Sequence, residues 1–146
     1  MANEYELTEI DFMQYAKADE LHAQEKFEEA IAALGDNVES KPPALVKRSR
    51  WTCDIGVRNE DMAEKERLFR CALEDARKAA EKAPDNFEAW KALAIVKGRL
   101  QACVGVSEKV QLGKEVRENI DRALELCPDD CASWTVLGAW HTGRAL

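Results

Sequence analysis

The sequence contains few residues that interrupt a helix. It has only four prolines and seven glycines in 146 residues, and its abundant Ala, Leu, Glu and Lys all favour helix. No basic start followed by an apolar run is present, so we expect no signal peptide. The longest stretch without a charged residue, 131–143, is 13 residues long. Because a membrane helix needs about 20 apolar residues, we expect no transmembrane segment.

Patterns typical of enzymes and metal sites are also missing. The only two histidines, His22 and His141, have no evident partner nucleophile. Cys127 and Cys131 bracket a Pro-Asp-Asp segment, but a structural zinc site needs four Cys or His ligands in close pairs. We therefore predict a protein that is not an enzyme and that has no catalytic, cofactor-binding or metal-binding residues.

Cysteine usage indicates reduced thiols. A chain without an export signal is not expected to form disulfides, and free cysteine behaves as a small buried hydrophobe. We therefore expect all five cysteines to be packed inside the protein: Cys53, Cys71, Cys103, Cys127 and Cys131.

Charge is distributed unevenly along the chain. The net charge is −7, but residues 1–40 contain eleven acids and two lysines, so the remainder carries +2. The acidic segment ends at four bases within ten residues, Lys41, Lys47, Arg48 and Arg50, here called the basic cluster. An acidic domain without a recognisable module is not expected to bind nucleic acid. The basic cluster predicts contact with an acidic protein surface, unless the acidic segment covers it intramolecularly.

Two segments of the chain match each other closely. Residues 82–94 align with residues 126–138, and in each a tryptophan follows six residues after a proline. Pro42, Pro84 and Pro128 are spaced by 42 and 44 residues. Repetition at such an interval is typical of a stack of helical hairpins.

Turn signals and apolar periodicity predict seven helices in antiparallel pairs. We expect Gly56 to end the third helix, and Asn59 and Ser107 to cap the fourth and the sixth. The predicted breaks lie near residues 24, 36–42, 56–59, 83–86, 102–107 and 127–130.

These helix pairs resemble tetratricopeptide repeats (TPR), in which small residues let two helices approach closely. Trp90, Leu93, Trp134 and Leu137 fall on packing positions of that pattern, so we expect all four in the core. The later units contain more residues between their packing positions than the pattern has. We therefore expect long-armed repeats, with both helices flanking residues 102–107 longer than those of the first hairpin.

The predicted fold is all-α, a TPR-like stack of antiparallel helix hairpins forming an α–α superhelix. We predict a single domain over residues 1–146. Residues 1–40 form an acidic first hairpin, and residues 41–146 form long-armed repeats that end one helix into the last unit. That last helix would lack a partner helix, so we expect it to be available for association.

The sequence resembles the regulator of microtubule dynamics family. The resemblance is carried by Leu-Val-Lys-Arg-Ser-Arg at 45–50, Ala-Pro-Asp-Asn-Phe-Glu-Ala-Trp-Lys-Ala-Leu-Ala at 83–94 and Ile-Asp-Arg-Ala-Leu-Glu-Leu-Cys-Pro-Asp-Asp at 120–130. It implies a TPR-like, microtubule-associated protein of the cytoplasm, the cytoskeleton and the spindle, with tubulin or another protein as its partner. The alternative is a general peptide- or lipid-binding adaptor at organelle contacts, built on the same scaffold.

Two sets of residues are candidates for partner binding. The first is the basic cluster, which suits the acidic surface and tails of microtubules; ordinary surface charges paired along a helix are the alternative. The second is a stripe at four-residue spacing, Lys91, Ile95 and Arg99, for which a solvated edge is the alternative. We expect alanine at positions 47, 48 and 50 to weaken microtubule binding with little effect on the melting temperature. If the acidic hairpin competes for the same bases, deleting residues 1–36 is expected to strengthen binding.

Overall fold

The structure is a computed structural model and describes residues 6–143. Within that range the chain forms seven α-helices, two short 3-10 turns and no β-strand. The predicted all-α stack of helix hairpins is thereby confirmed. The helices are α1 (Glu9–Ala23), α2 (Phe27–Ala32), α3 (Pro42–Arg58), α4 (Met62–Lys82), α5 (Phe87–Leu100), α6 (Val106–Leu126) and α7 (Cys131–Thr142), and the 3-10 turns are Val38–Ser40 and Gln101–Cys103.

The helix starts follow local capping chemistry. Thr8 and Asp11 form a capping box at the start of α1, in which two otherwise unbonded backbone N–H groups are satisfied reciprocally. At the starts of α5 and α7, the side chains of Asn86 and Asp130 each accept a hydrogen bond from a backbone N–H of the first turn. The predicted cap of α4 was two residues early, because Asp61 accepts the bond from the backbone of the first turn.

Two other predicted boundaries were wrong. The residue that precedes α6 as its N-cap is Gly105, not Ser107. Gly56 does not end α3, which continues to Arg58. A β-carbon at position 56 would lie 2.7 Å from Cε1 of Phe69 on α4, so this glycine permits the close approach of α3 and α4 instead of breaking the helix.

The expectation of long arms is confirmed for three of four helices in the later hairpins. Both α4 and α6 contain 21 residues and α3 contains 17, against 15 and 6 in the first hairpin. The prediction was wrong for α5, which has 14 residues. Its last turn tightens into the 3-10 turn that follows, so the chain leaves the α-helix early.

The core runs through the whole stack as two joined clusters. The larger lies among α1 to α5 and includes Phe69, Val96 and Leu100. The smaller lies among α5, α6 and α7 and includes Ile120 and Leu124. Alanines line the facing surfaces of α4 and α5, and their small volume lets the two helix axes come close.

The two repeat tryptophans differ in burial. Each donates its indole N–H to the backbone oxygen of the proline six residues earlier, at 2.8 Å for Trp90 and 2.7 Å for Trp134. Trp90 is half-buried and packs against both core clusters, whereas Trp134 is 53% exposed. Leu93 and Leu137 are buried as predicted. The prediction was wrong for Trp134, because α7 packs mainly on α6 and less extensively on α5, which leaves this side of α7 exposed.

The cysteines do not share one environment. Cys53 is buried, Cys103 and Cys127 are half-buried, and Cys71 and Cys131 are exposed, all as free thiols. The expectation of five packed thiols therefore holds only for Cys53. Cys71 lies on the outer side of α4, and Cys131 is the first residue of α7, where it adds nothing to the packing.

Thiol reactivity should follow this difference in burial. Burial raises the pKa of the Cys53 thiol to about 11, and thiolate is the reactive form. We expect iodoacetamide at neutral pH to modify Cys71 and Cys131 first and to reach Cys53 only after unfolding. Peptide mass spectrometry over a time course measures the order. Modification of Cys53 as fast as Cys71 in the native protein would place Cys53 at the surface instead.

No helix within residues 6–143 is both long enough and apolar enough to cross a membrane. The same part of the chain contains no group of three or more His, Cys, Asp or Glu side chains arranged to hold a metal ion.

Candidate functional site

A groove of about 410 Å³ opens between α1, α3 and the start of α5. Helix α3 forms its floor, because residues spaced three and four apart along the helix face the same side. The lining residues are His22, Pro43, Val46, Lys47, Arg50, Trp51, Asp54, Asn86 and Glu88. The groove therefore combines an apolar wall with charges of both signs.

One wall of the groove is an aromatic stack. The His22 ring lies parallel to the Trp51 indole, with centroids 5.0 Å apart and planes 15° apart. Nε2 of His22 lies 3.0 Å from Oδ2 of Asp54, which fixes the orientation of the ring. The Lys47 ammonium stands over the Trp51 ring at 5.6 Å. Because Trp51 is only 5% exposed, the stack mainly holds α1 against α3 and gives the groove a rigid wall.

The acidic hairpin covers part of the basic cluster. Nζ of Lys47 lies 2.7 Å from the carboxylate of Asp19 on α1, and Nζ of Lys41 lies 3.4 Å from that of Asp11. The intramolecular alternative raised by the sequence is therefore confirmed for these two lysines. The Lys47–Asp19 pair is partly solvated, so it contributes little to stability and can exchange with another anion. The Lys41–Asp11 pair is largely buried, with side chains 19% and 10% exposed.

Arg48 has a structural role that the sequence did not indicate. Its guanidinium donates to both carboxylate oxygens of Asp75 on α4, each at 2.8 Å, and to Glu39 at 2.6 Å. The Asp75 side chain is only 11% exposed. These contacts change the expectation for alanine at positions 47, 48 and 50, because loss of Arg48 would leave a buried carboxylate without a partner and should lower the melting temperature.

The hydrogen bonds around Glu39 also shift its titration. Donation by Arg48 and Lys78 lowers the pKa of Glu39, and the bond to the backbone of Thr8 lowers the pKa of Asp11. Both carboxyls have a depressed pKa in the folded state. Their contribution to stability is therefore present at neutral pH and is lost as the pH falls through the acidic range.

The residues of the second predicted set, Lys91, Ile95 and Arg99, differ in burial and in their contacts. Lys91 is 5% exposed, and its Nζ lies 3.2 Å from Asp130 and 3.1 Å from Glu88. It thus ties α5 to the N-terminal cap of α7 and is held inside the stack. Ile95 and Arg99 are half-buried, and Nε of Arg99 is buried without a hydrogen-bond partner.

Other bases near the cluster follow the ordinary pattern of helix-surface charges. Arg67 pairs with Glu64 and Arg77 with Glu74, each three residues away on α4. Arg70 bonds to Glu66 and reaches across to Glu108 of α6. The alternative of local pairing is therefore confirmed for these three arginines of α4.

Arg50 differs from the other members of the basic cluster. It lines the groove on α3, and within residues 6–143 it has no hydrogen bond or ion pair with another side chain. The structure thus leaves the two arginines Arg50 and Arg99 as the uncompensated bases among the seven predicted site residues. Sequence spacing could not identify them, because pairing depends on helices that are distant in the chain.

Known proteins of similar sequence match most of the helical part of this chain. A family model described as Regulator of microtubule dynamics protein 1-3 matches residues 14–145. The chain is 31% identical over 133 residues to regulator of microtubule dynamics protein 3 of Xenopus laevis, with 85% of this chain and 28% of that protein covered. It is 30% identical over 128 residues to regulator of microtubule dynamics protein 1 of Bos taurus, with 85% and 40% covered. The chain therefore spans less than half the length of these relatives.

Proposed function

Since the chain belongs to the regulator of microtubule dynamics family, we propose that it is a non-catalytic module that associates with microtubules. The proposed place of action is the cytoplasm, including the cytoskeleton and the spindle. Its partner is tubulin in the microtubule wall or tails, which present acidic side chains. The family relationship supports the microtubule role, and the groove between α1, α3 and α5 supports a binding role.

The observation that carries the proposal is the unpaired guanidinium of Arg50, in a groove whose other charged side chains have partners. Arg50 faces the groove without a partner within the described residues, and Lys47 is paired only with the half-exposed Asp19. Exposed bases on a rigid helix attract an acidic surface and orient it before contact. The acidic hairpin competes for the same bases, so the association is expected to be weak.

A non-catalytic role is supported by the surroundings of His22. Its described contacts are Asp54, the Trp51 ring and the Phe27 ring at 5.3 Å. None of these residues is a nucleophile that the histidine could activate. The histidine therefore serves to hold the aromatic wall of the groove.

The proposal predicts co-sedimentation with microtubules that decreases steeply with salt. Attraction between exposed charges is screened over about 8–10 Å at ordinary ionic strength, so little protein should pellet once salt is raised. The measurement is the pelleted fraction over a range of microtubule concentrations at low and high salt, with protein alone as the control. Absence of protein from the pellet at low salt would contradict the proposal.

A second candidate is a peptide-binding adaptor that does not act on microtubules, for instance at organelle contacts. The apolar wall of Pro43, Val46 and Trp51 beside charged groups favours it, because peptide grooves combine such surfaces. Peptide binding without microtubule pelleting would select this candidate. A lipid-binding adaptor has no comparable support, since charged side chains of both signs line the groove.

A further inference from the structure

We propose that the outer side of α7 binds a second copy of this chain, so that two α7 helices pack against each other across a two-fold axis. This side carries Trp134, Thr135 and Gly138, which are all exposed. Trp134 and Thr135 each lie one helical turn before Gly138, so the three residues share one side of the helix. They are called the α7 face below. The inference goes beyond the proposed function and does not rest on it.

The internal repeat indicates that the α7 face is a surface for packing against a helix. When the two repeat segments are aligned, the same positions on α5 are Trp90, Lys91 and Ala94. Ala94 is completely buried, and Trp90 packs with it against apolar side chains of α6 and α7. Helices therefore cover this side of α5, whereas the equivalent side of α7 is exposed.

The α7 face differs from its counterpart on α5 in charge. Lys91 of α5 is paired with Asp130 at the start of α7, so an ion pair helps to fix the helix that covers α5. Thr135 stands at the equivalent position of α7 and cannot form such a pair. Of the seven helices within residues 6–143, α7 is the only one without Asp, Glu, Lys or Arg. The α7 face therefore suits an uncharged surface.

The lack of charge favours a second copy as the partner. In a two-fold interface, a residue near the axis lies close to its own copy. A charged residue at that place would meet a like charge, which opposes association. This chain carries a net charge of −7, and each of the other described helices carries charged side chains. Two copies can therefore share α7 with the least repulsion.

The shape of the α7 face is complementary to itself. Trp134 is 53% exposed, and its indole N–H donates to the backbone oxygen of Pro128 at 2.7 Å, which holds the ring in place. One turn further along, a β-carbon at Gly138 would meet no atom within 4 Å, so the surface is open there. In an antiparallel pair of α7 helices, the Trp134 ring of each copy lies over Gly138 of the other.

The contact is small, so the dimer is weak and reversible. Helix α7 contains 12 residues, which is a length of about 18 Å at a rise of 1.5 Å per residue. One pair of helices of that length buries less surface than the roughly 1,200–2,000 Å² of stable interfaces. We therefore expect monomers at about 1 µM and a substantial fraction of dimers above about 100 µM.

The test is sedimentation velocity of the 146-residue chain across that range of concentration. The sedimentation coefficient of wild type should rise from that of a monomer towards that of a dimer. The rise should persist at high salt, because salt does not screen an uncharged contact. Gly138→Glu fills the open position and places like charges at the contact, so this variant should stay monomeric. Its melting temperature should stay near that of wild type, since the position is exposed and glutamate favours a helix more than glycine does.

The matched control is Met13→Glu, which adds the same charge at an exposed apolar position of α1 and should dimerise as wild type does. Trp134→Ala should weaken the dimer by about tenfold, because the ring is the largest group in the contact. Dimerisation of Gly138→Glu equal to that of wild type would overturn the inference and place the contact elsewhere on the surface. Wild type that stays monomeric throughout would also overturn it and leave the α7 face to a helix of another protein.

The outcome is distinguishable from that of the proposed function, because no microtubules are present in the sedimentation experiment. Wild type that dimerises through the α7 face but does not pellet with microtubules would support this inference and contradict the microtubule role. Wild type that pellets but stays monomeric would do the reverse. If both hold, each dimer presents two grooves, so Gly138→Glu should pellet less completely than wild type through loss of bivalent binding.

Discussion

Replacing Phe69 with alanine is expected to lower the free energy of unfolding by about 3–5 kcal/mol, the range for removing a large buried aromatic side chain. Phe69 is 2% exposed and is the largest of the fully buried side chains described. It faces Gly56, where the backbone of α3 comes close to its ring. No small rearrangement can fill the space, because α3 and α4 are held together along their full length.

The effect is measured by urea denaturation followed by circular dichroism at 222 nm, a wavelength that reports helix. The matched control is Trp134→Ala, which removes a larger aromatic group from an exposed position and should cost less than about 1 kcal/mol. Since small domains are stable by only about 5–15 kcal/mol, the Phe69 variant should have a visibly lower midpoint. Similar midpoints for the two variants would show that α4 does not pack against α3 as described.

Replacing Arg48 with alanine is expected to cost about 2–3 kcal/mol. Removing one partner of a fully buried ion pair costs about 3–5 kcal/mol, and the value is reduced here because the Arg48 side chain is 26% exposed. The cost arises at Asp75, whose carboxylate loses two hydrogen bonds at 2.8 Å and stays buried. Arg48→Lys should recover only part of the loss, since an ammonium cannot make both bonds.

The control for this prediction is Arg67→Ala, which breaks an exposed pair with Glu64 and should leave the denaturation midpoint close to that of wild type. A double-mutant cycle with Asp75→Ala measures the coupling directly. The double variant should be more stable than the sum of the two single effects implies, because it leaves no unpaired buried charge. Additive effects would mean that Arg48 and Asp75 do not interact.

Much of the fold followed from short-range signals. The proline-centred repeat fixed the positions of α5 and α7, and Asn86 and Asp130 act as caps within a turn of those prolines. The end of α3 was predicted wrongly at Gly56, because a single sequence does not distinguish a glycine that ends a helix from a glycine at a contact between two helices. The contact with Phe69, 13 residues later, decides between them.

Burial at the last helix could not be read from the repeat. Trp90 and Trp134 occupy equivalent positions and make equivalent hydrogen bonds. Their exposure differs because burial depends on what packs outside each helix, and the pattern within one repeat does not contain that information. The equivalent positions in the repeat therefore predicted the hydrogen bond of each tryptophan, but they did not predict whether its side chain is buried.

The candidate site was predicted only in outline. The clustering of bases between residues 41 and 50 indicated where positive charge lies. Which bases are free depends on partners 27 to 39 residues away, such as Asp19 for Lys47, Asp75 for Arg48 and Asp130 for Lys91. Helix packing selects these partners, so the uncompensated Arg50 and Arg99 emerge only from the folded chain.

The central claim, that the groove along α3 carries microtubule association, is tested most directly by pelleting three proteins with microtubules at low salt. They are wild type, Lys47→Gln/Arg50→Gln, which removes two bases that line the groove, and the charge-matched Arg67→Gln/Arg77→Gln. We predict that wild type and the α4 variant pellet alike and that the groove variant stays largely in the supernatant. Equal pelleting of the two variants would contradict the claim, because binding would then depend on net charge and not on this groove.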